Sequence, residues 1–225
     1  MEIVQLSLQT ASLQAMKHFY ETQLDFTLLA EEADRFTVAV GSSRLEFWQA
    51  PAGSEPTYHI AFRIPENKCE EALEWLKQRA KVLANEEDGE LVHFTHWNAH
   101  SIYFHDPAGN IVELIARHNL PNRSDRPFSS SEILGLNEIG LPVDDVWETI
   151  ERLQLTTGIP VWREPSATFA TMGDEHGLLI LAAKGRKWFQ SQLRAEAYPM
   201  HITLRGERSL HVRMKEYLFE FVPKA

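Results

Sequence analysis

One order of segments recurs along the chain and restricts the fold more than any single residue does: a strand, a helix, then strands joined by tight turns. The stretch "EIVQLSLQT" alternates apolar and polar residues, as a half-buried strand does. Ser12 can cap the next segment, "LQAMKHFYETQLDF", where Leu13, Met16, Phe19, Tyr20 and Leu24 share one helical face. "DRFTVAVG" and "SRLEFWQA" then form two strands around a Gly41-Ser42 turn. After the link "APAGSEP" the order returns. "TYHIAFRI" is a strand, "NKCEEALEWLKQRA" a helix burying Leu73 and Leu76, and "ELVHFTHW", "SIYFHD" and "NIVELIAR" are strands. A third round begins at "LGLNEIGLPV". Its helix "VWETIERLQLTT" has Asp144 or Asp145 as cap and Gly158 as terminator, and "ATFATMGD" and "GLLILAAK" follow as strands. The last stretch, "YPMHITLRG" through "EYLFEFVP", reads as strands without a helix.

This pattern predicts an α+β protein of tandem βαβββ modules, with curved mixed sheets that carry helices on one face and enclose a cavity on the other. The expected organisation is a pair of modules, 1–52 and 56–118, within residues 1–120. The polar linker "NLPNRSDRPFSSSE" supplies a boundary at 121–132, and a third module with a strand-only remnant of a fourth fills 133–225.

Composition narrows the function classes. A net charge of −10 over 225 residues, with no cluster of Lys and Arg, argues against nucleic acid. No apolar run approaches the roughly 20 residues that span a bilayer, and "MEIVQLSLQT" lacks the features of a signal peptide. Cys69 is the only cysteine, which excludes a disulfide framework or a thiolate metal cluster and fits a cytoplasmic protein.

Strand alternation assigns the faces. Val4, Leu6 and Leu8 pack on the helix, so Ile3, Gln5 and Ser7 point the other way. Tyr58, Ile60 and Phe62 pack, leaving His59 and Ala61 on the open side. Leu45 and Phe47 oppose Glu46, and Val112 and Leu114 oppose Glu113. The turn Asp-Pro-Ala-Gly-Asn suits a type I turn with Gly109 left-handed, which pairs Asp106 with Asn110 and sets Tyr103 across from Glu113. A buried Glu113 requires either a cation or an arginine such as Arg44 or Arg63.

The segments "YFHDPAGNIVEL" and "IVQLSLQTASLQAMKHFYETQLDF" resemble the vicinal oxygen chelate superfamily, which includes glyoxalase I, extradiol dioxygenases and bleomycin-binding proteins. Asp25 stands where that family usually has Gly, a position an Asp tolerates in left-handed conformation. The resemblance implies the glyoxalase/bleomycin resistance/dioxygenase fold and a divalent metal between paired modules. Its ligand positions fall on Gln5, Glu46, His59 and Glu113. One nitrogen and three oxygens suit Zn, Ni, Mn, Fe or Co. The resemblance further implies a small oxygen-bearing substrate and glyoxalase-type chemistry, with Glu113 or Glu46 shuttling a proton. The modules can pair within one chain or between two, the latter giving a homodimer.

Two other readings stay open. An extradiol-type dioxygenase would use His59, Glu113 and Tyr103, but needs a second histidine where Gln5 stands. A binding protein without chemistry would use an aromatic cavity containing Trp48, Trp97 and Tyr103. In the third module Glu138 occupies the first-strand ligand position, but Ile180 falls at its partner position, so no metal is expected there; His201 again has a first-strand-like position. His93, His96, His100 and His105 read as strand and loop surface, with His100 the one worth testing.

Overall fold

A computed structural model describes residues 1–84, 87 and 89–223. Four units follow one another. The first has β1 (Ile3–Thr10), α1 (Leu13–Lys17), β2 (Leu28–Glu31), β3 (Arg35–Val40) and β4 (Ser43–Gln49). The second has β5 (His59–Ile64), α2 (Cys69–Lys77), β6 (Val92–Phe94), β7 (Ala99–His105) and β8 (Ile111–Arg117). The third has β9 (Gly135–Val143), α3 (Val146–Thr157), β10 (Phe169–Asp174) and β11 (Gly177–Ala183). β12 (Met200–Gly206), β13 (Leu210–Met214) and β14 (Tyr217–Pro223) form the fourth, which has strands alone.

Local chemistry explains the element ends. α1 widens into a π-helical turn over His18–Gln23, and Asp25 then takes a left-handed conformation at φ 58°. The Asp145 carboxylate accepts the Glu148 N–H at the start of α3, and Gly158, at φ 73°, ends it.

Sheet pairing departs from the expected organisation. The first two units do not pair with each other. β5 pairs antiparallel with β9, joining the second unit to the third, while β1 pairs antiparallel with β12, joining the first unit to the fourth. β5 and β9, neighbours in one sheet, therefore lie on opposite sides of the 121–132 linker in the chain. A 14-stranded sheet results, its halves meeting at the single pairing of Ile3 with Leu136. Ser43 locks this seam: its hydroxyl donates to the Ile3 carbonyl (2.7 Å) and accepts the Leu136 N–H (3.1 Å). Gly41 presses against the same segment. A side chain there would meet the Leu134 carbonyl carbon at 2.3 Å, so glycine is required by space as well as by its φ of +53°.

Of the helix-facing residues read from alternation, Leu6, Leu8, Leu45, Phe47, Ile60, Phe62, Val112 and Leu114 enter one core cluster. Val4 does not, and Ile3, expected on the open face, does, because the register of β1 shifts between Ile3 and Gln5. Tyr20 ties the halves together. Its ring stacks on Phe47 at 5.2 Å and meets Phe62 edge-on at 6.5 Å. Its hydroxyl donates to Asp106 in the second unit's hairpin (2.9 Å).

That hairpin has the expected register, with Tyr103 opposite Glu113 and Gly109 left-handed at φ 81°. Asp106 organises it, accepting from the backbone N–H groups of Ala108 and Asn110 (both 3.0 Å) and from the Asn110 amide (2.7 Å). Burial nonetheless raises its carboxyl to about 6. Asp106→Ala is expected to cost about 2–4 kcal/mol in denaturant unfolding, because it strands several buried donors, whereas Tyr20→Phe should cost about 1 kcal/mol.

Candidate functional site

Ala61 is the pivot of the site. It lies opposite Glu113 on β8 and opposite Glu138 on β9. Both carboxylates therefore stand on the strands flanking a residue that has only a methyl group, and His59 rises two residues along β5 on the same face. The His59 Nε2 atom is 3.6 Å from Glu113 Oε2 and 3.7 Å from Glu138 Oε2. Among the described residues, His59, Glu113 and Glu138 are the only group of three or more His, Cys, Asp or Glu side chains whose ligating atoms lie within 4.8 Å of one another. All three are buried.

The electrostatics of this cluster call for a cation. His59 Nδ1 faces the Ile111 carbonyl at 3.3 Å. With Nδ1–H donating there, the Nε2 lone pair of a neutral ring is directed at two carboxylates, an arrangement that needs a proton or a metal ion between them. Burial lowers the imidazole's pKa, but the bond to Glu138 and the charges of Glu113 and Glu138 outweigh it, and the net shift is upward. Glu113 is 2% exposed. Burial, then repulsion from Glu138, raises its carboxyl to about 7.

The arginine near the cluster is Arg117, which the sequence reading missed; Arg63 instead donates to the His176 carbonyl (3.0 Å). Arg117 is fully buried. It pairs with Glu138, donates to Asn137 (2.8 Å), and lies 5.6 and 5.2 Å from the Trp97 and Trp162 rings. Its position at the end of β8, separated by β5 from the strand that carries Glu138, carries no local signal of this role. One arginine against two carboxylates leaves one negative charge when His59 is neutral, which suits a divalent ion with one nitrogen and two carboxylate ligands.

A cavity of about 250 Å³ opens above the cluster. His59, Tyr103, Glu113 and Glu138 reach it from the sheet, Phe94, Trp97 and Phe169 flank it, and Trp188 and Phe189 cover it. The Trp188 ring lies 5.3 Å from His59, in space that a Gly140 side chain would fill, since a Cβ there would meet the indole at 2.7 Å. Tyr103 stacks beside His59 at 6.5 Å, and burial, then Glu113, raises its phenol well above the usual range.

Gln5 and Glu46 fall elsewhere because β1 and β4 belong to the other half. Neither lines this cavity, so Glu46 does not share a pocket with Tyr103 and Glu113, and Trp48 on β4 lies away from it as well. The third unit, where no metal was expected, contributes Glu138. Ile180, opposite Gly140, also reaches the cavity but has no ligating atom.

The second half repeats this register. Thr203 lies opposite both Glu220 and Gln5, as Ala61 lies opposite Glu113 and Glu138. His201 stands two residues before Thr203, and Ser7 pairs with Glu46 as Gly140 pairs with Ile180. Gln5, Glu46, His201 and Glu220 thus occupy the positions of Glu138, Ile180, His59 and Glu113. This half is more open: His201 and Glu220 are about one-third exposed, with Nε2 and Oε2 3.2 Å apart. Glu46 accepts from Thr37 (3.4 Å), and the Gln5 amide donates to Ser7 (3.2 Å).

The other histidines lie outside the cavity. His93 stacks on His100 at 4.4 Å, and His100 Nδ1 meets His118 Nε2 at 2.7 Å. His105 Nδ1 faces the Asn110 carbonyl at 3.1 Å. No helix among the described residues is long and apolar enough to cross a membrane.

Comparison with known proteins agrees with this fold. A family model described as the Glyoxalase/Bleomycin resistance protein/Dioxygenase superfamily matches residues 2–114. The structure of a putative dioxygenase from Bacillus subtilis superimposes with a TM-score of 0.63 at 14% identity, over 99% of this chain and 85% of that one. A glyoxalase I mutant from Zea mays gives a TM-score of 0.58 at 15% identity, over 99% and 92%. No curated protein matches the chain in sequence. At these identities the structures speak for the fold alone, while the family model spans half of the chain. The chain belongs to the Glyoxalase/Bleomycin resistance protein/Dioxygenase superfamily.

Proposed function

We propose that the protein is a metal-dependent enzyme acting on a small oxygen-bearing molecule in the His59 cavity, with proton-transfer chemistry of the glyoxalase type. The observation that carries this reading is the buried convergence of His59 Nε2 with Glu113 and Glu138, a donor set short of one positive charge. His59, Glu113 and Glu138 would hold a divalent ion of the Zn, Ni, Mn, Fe or Co group. Bound there, the ion would supply charge stabilisation for adjacent ligand oxygens. Glu113 is placed for proton transfer, because its carboxylate lines the cavity beside the position the ion would take. Arg117 positions Glu138, and Tyr103 walls the cavity beside the reacting region. A dioxygenase built on two histidines and one carboxylate is less well supported, since the cluster has one histidine and two carboxylates.

Gln5, Glu46, His201 and Glu220 have the matching register in the other half, but His201, Glu220 and Glu46 do not converge to ligating distance of one another, so the metal reading is confined to the His59 cluster.

Metal analysis tests this site. Purified protein dialysed against Ni, Zn or Mn should retain stoichiometric metal and gain thermal stability. His59→Ala should lose the ion of the buried site, and Glu220→Ala should leave that ion in place. Metal-free wild type that gains neither content nor stability would sink the enzyme reading and favour a binding protein.

A pH series provides a second test. The raised carboxyl of Glu113 makes the folded, metal-free protein bind this proton more tightly than the unfolded chain does. Stability from this group is full below about pH 4.5 and falls as pH rises through about 7; the raised imidazole of His59 works in the same direction. Metal-free Glu113→Gln should escape about 2–3 kcal/mol of that loss at pH 8. Metal affinity of the wild type should rise over the same interval as the competing proton leaves.

A further inference from the structure

Between β11 and β12 the chain forms a strap that closes the His59 cavity. The strap is hydrogen-bonded to itself: Gly185 N–H donates to the Ala195 carbonyl (2.8 Å), Ala195 N–H to Arg186 (2.8 Å), and Trp188 N–H to Leu193 (3.0 Å). It therefore presents four consecutive side chains, Arg186, Lys187, Trp188 and Phe189, to the cavity as a unit. Two are aromatic and two cationic.

The aromatic pair completes a ring-lined space. Trp188 faces His59 at 5.3 Å, and Phe189 meets Tyr103 edge-on at 5.6 Å and Phe94 at 5.5 Å. An apolar cavity of about 150 Å³ is enough to hold benzene, so 250 Å³ admits a substituted ring or a fused pair of rings. The walls offer flat faces and edges at the spacing aromatic contacts prefer.

The cationic pair is unusual in a chain of net charge −10. Arg186 lies 4.8 Å over the Phe169 ring and donates to the Thr168 hydroxyl (3.1 Å), and Lys187 donates to the Gln192 side chain (2.8 Å). Among the described residues, no carboxylate lies within ion-pairing distance of either. Their hydrogen-bond partners among the described residues are neutral. Glu113 and Glu138 occupy the floor, so in metal-free protein the charge distribution orients a ligand with its ring in the middle and its anionic end at the mouth, where Arg186 and Lys187 are exposed.

We propose that the His59 cavity takes a planar aromatic anion, its ring held among Tyr103, Trp188 and Phe189 and its acidic group bound by Arg186 and Lys187. This rests on the reading of that cavity as the ligand site and is independent of which ion the floor holds. The strap is the specificity-determining element, and Arg186 and Lys187 take no part in metal binding.

Equilibrium titration with 2-naphthoate, 2-naphthol and hexanoate, followed by quenching of tryptophan fluorescence and by calorimetry, tests this on metal-loaded and metal-free protein. The expected result is 2-naphthoate binding at least about tenfold more tightly than either of the others. Arg186→Gln combined with Lys187→Gln, both exposed substitutions, should reduce 2-naphthoate to the affinity of 2-naphthol while leaving 2-naphthol binding and metal content unchanged. Equal affinity for 2-naphthoate and 2-naphthol, equal affinity for hexanoate, or a preference that survives the double substitution would overturn the proposal. If the preference appears in protein that takes up no metal, the aromatic-anion assignment stands and the metal-dependent reading fails.

Discussion

The alignment of β5 between β8 and β9 is the constraint on which the site depends. Because Ala61 faces a glutamate on each side, two carboxylates are carried over one small side chain in the sheet interior. Bringing like charges together in a buried place is unfavourable, and the backbone pairing that does so is fixed by many hydrogen bonds remote from the charges. Compensation comes from His59 and from Arg117 held between two tryptophans. A sheet is a suitable scaffold for this, since its register holds the donors without relying on mobile loops.

Two halves of similar design have diverged in how they treat their open faces. Both place a histidine and a glutamate at the same register on paired strands, and both flank them with a residue from a neighbouring unit. In the half formed by the second and third units, Ile180 stands where the other half has Glu46, and the strap carrying Trp188 covers the opening. In the half formed by the first and fourth units, Glu46 remains and the histidine and glutamate stay partly in water. A dry site strengthens each electrostatic contact and makes an unpaired charge costly; an open one does neither.

Much of this was legible from short stretches. Turn chemistry in "HDPAGN" predicted the pairing of Tyr103 with Glu113, because Pro107 and Gly109 admit few alternatives. Alternation placed His59, Ala61 and Glu113 on one face, and the Asp145 cap and Gly158 stop bounded α3. The partnership of the units was not legible. Strands β1, β5, β9 and β12 all present a polar residue toward an open face and an apolar side toward helices, so no local pattern distinguishes the pairing of unit one with two from one with four. Glu138 and Arg117 entered the site, and Gln5 and Glu46 left it, solely through that choice.

The sequence by itself determined the repeated unit, the face each side chain takes and the hairpin register, since these follow from backbone sterics and a period of two along a strand. Only the tertiary structure decided which units share a cavity. That choice depends on how whole sheets pack: on Ser43 and Gly41 at the seam between halves, on Tyr20 reaching Asp106 across it, and on Trp188 filling the space left open at Gly140. These contacts join residues distant in the chain, and their worth exists only once both partners are in place.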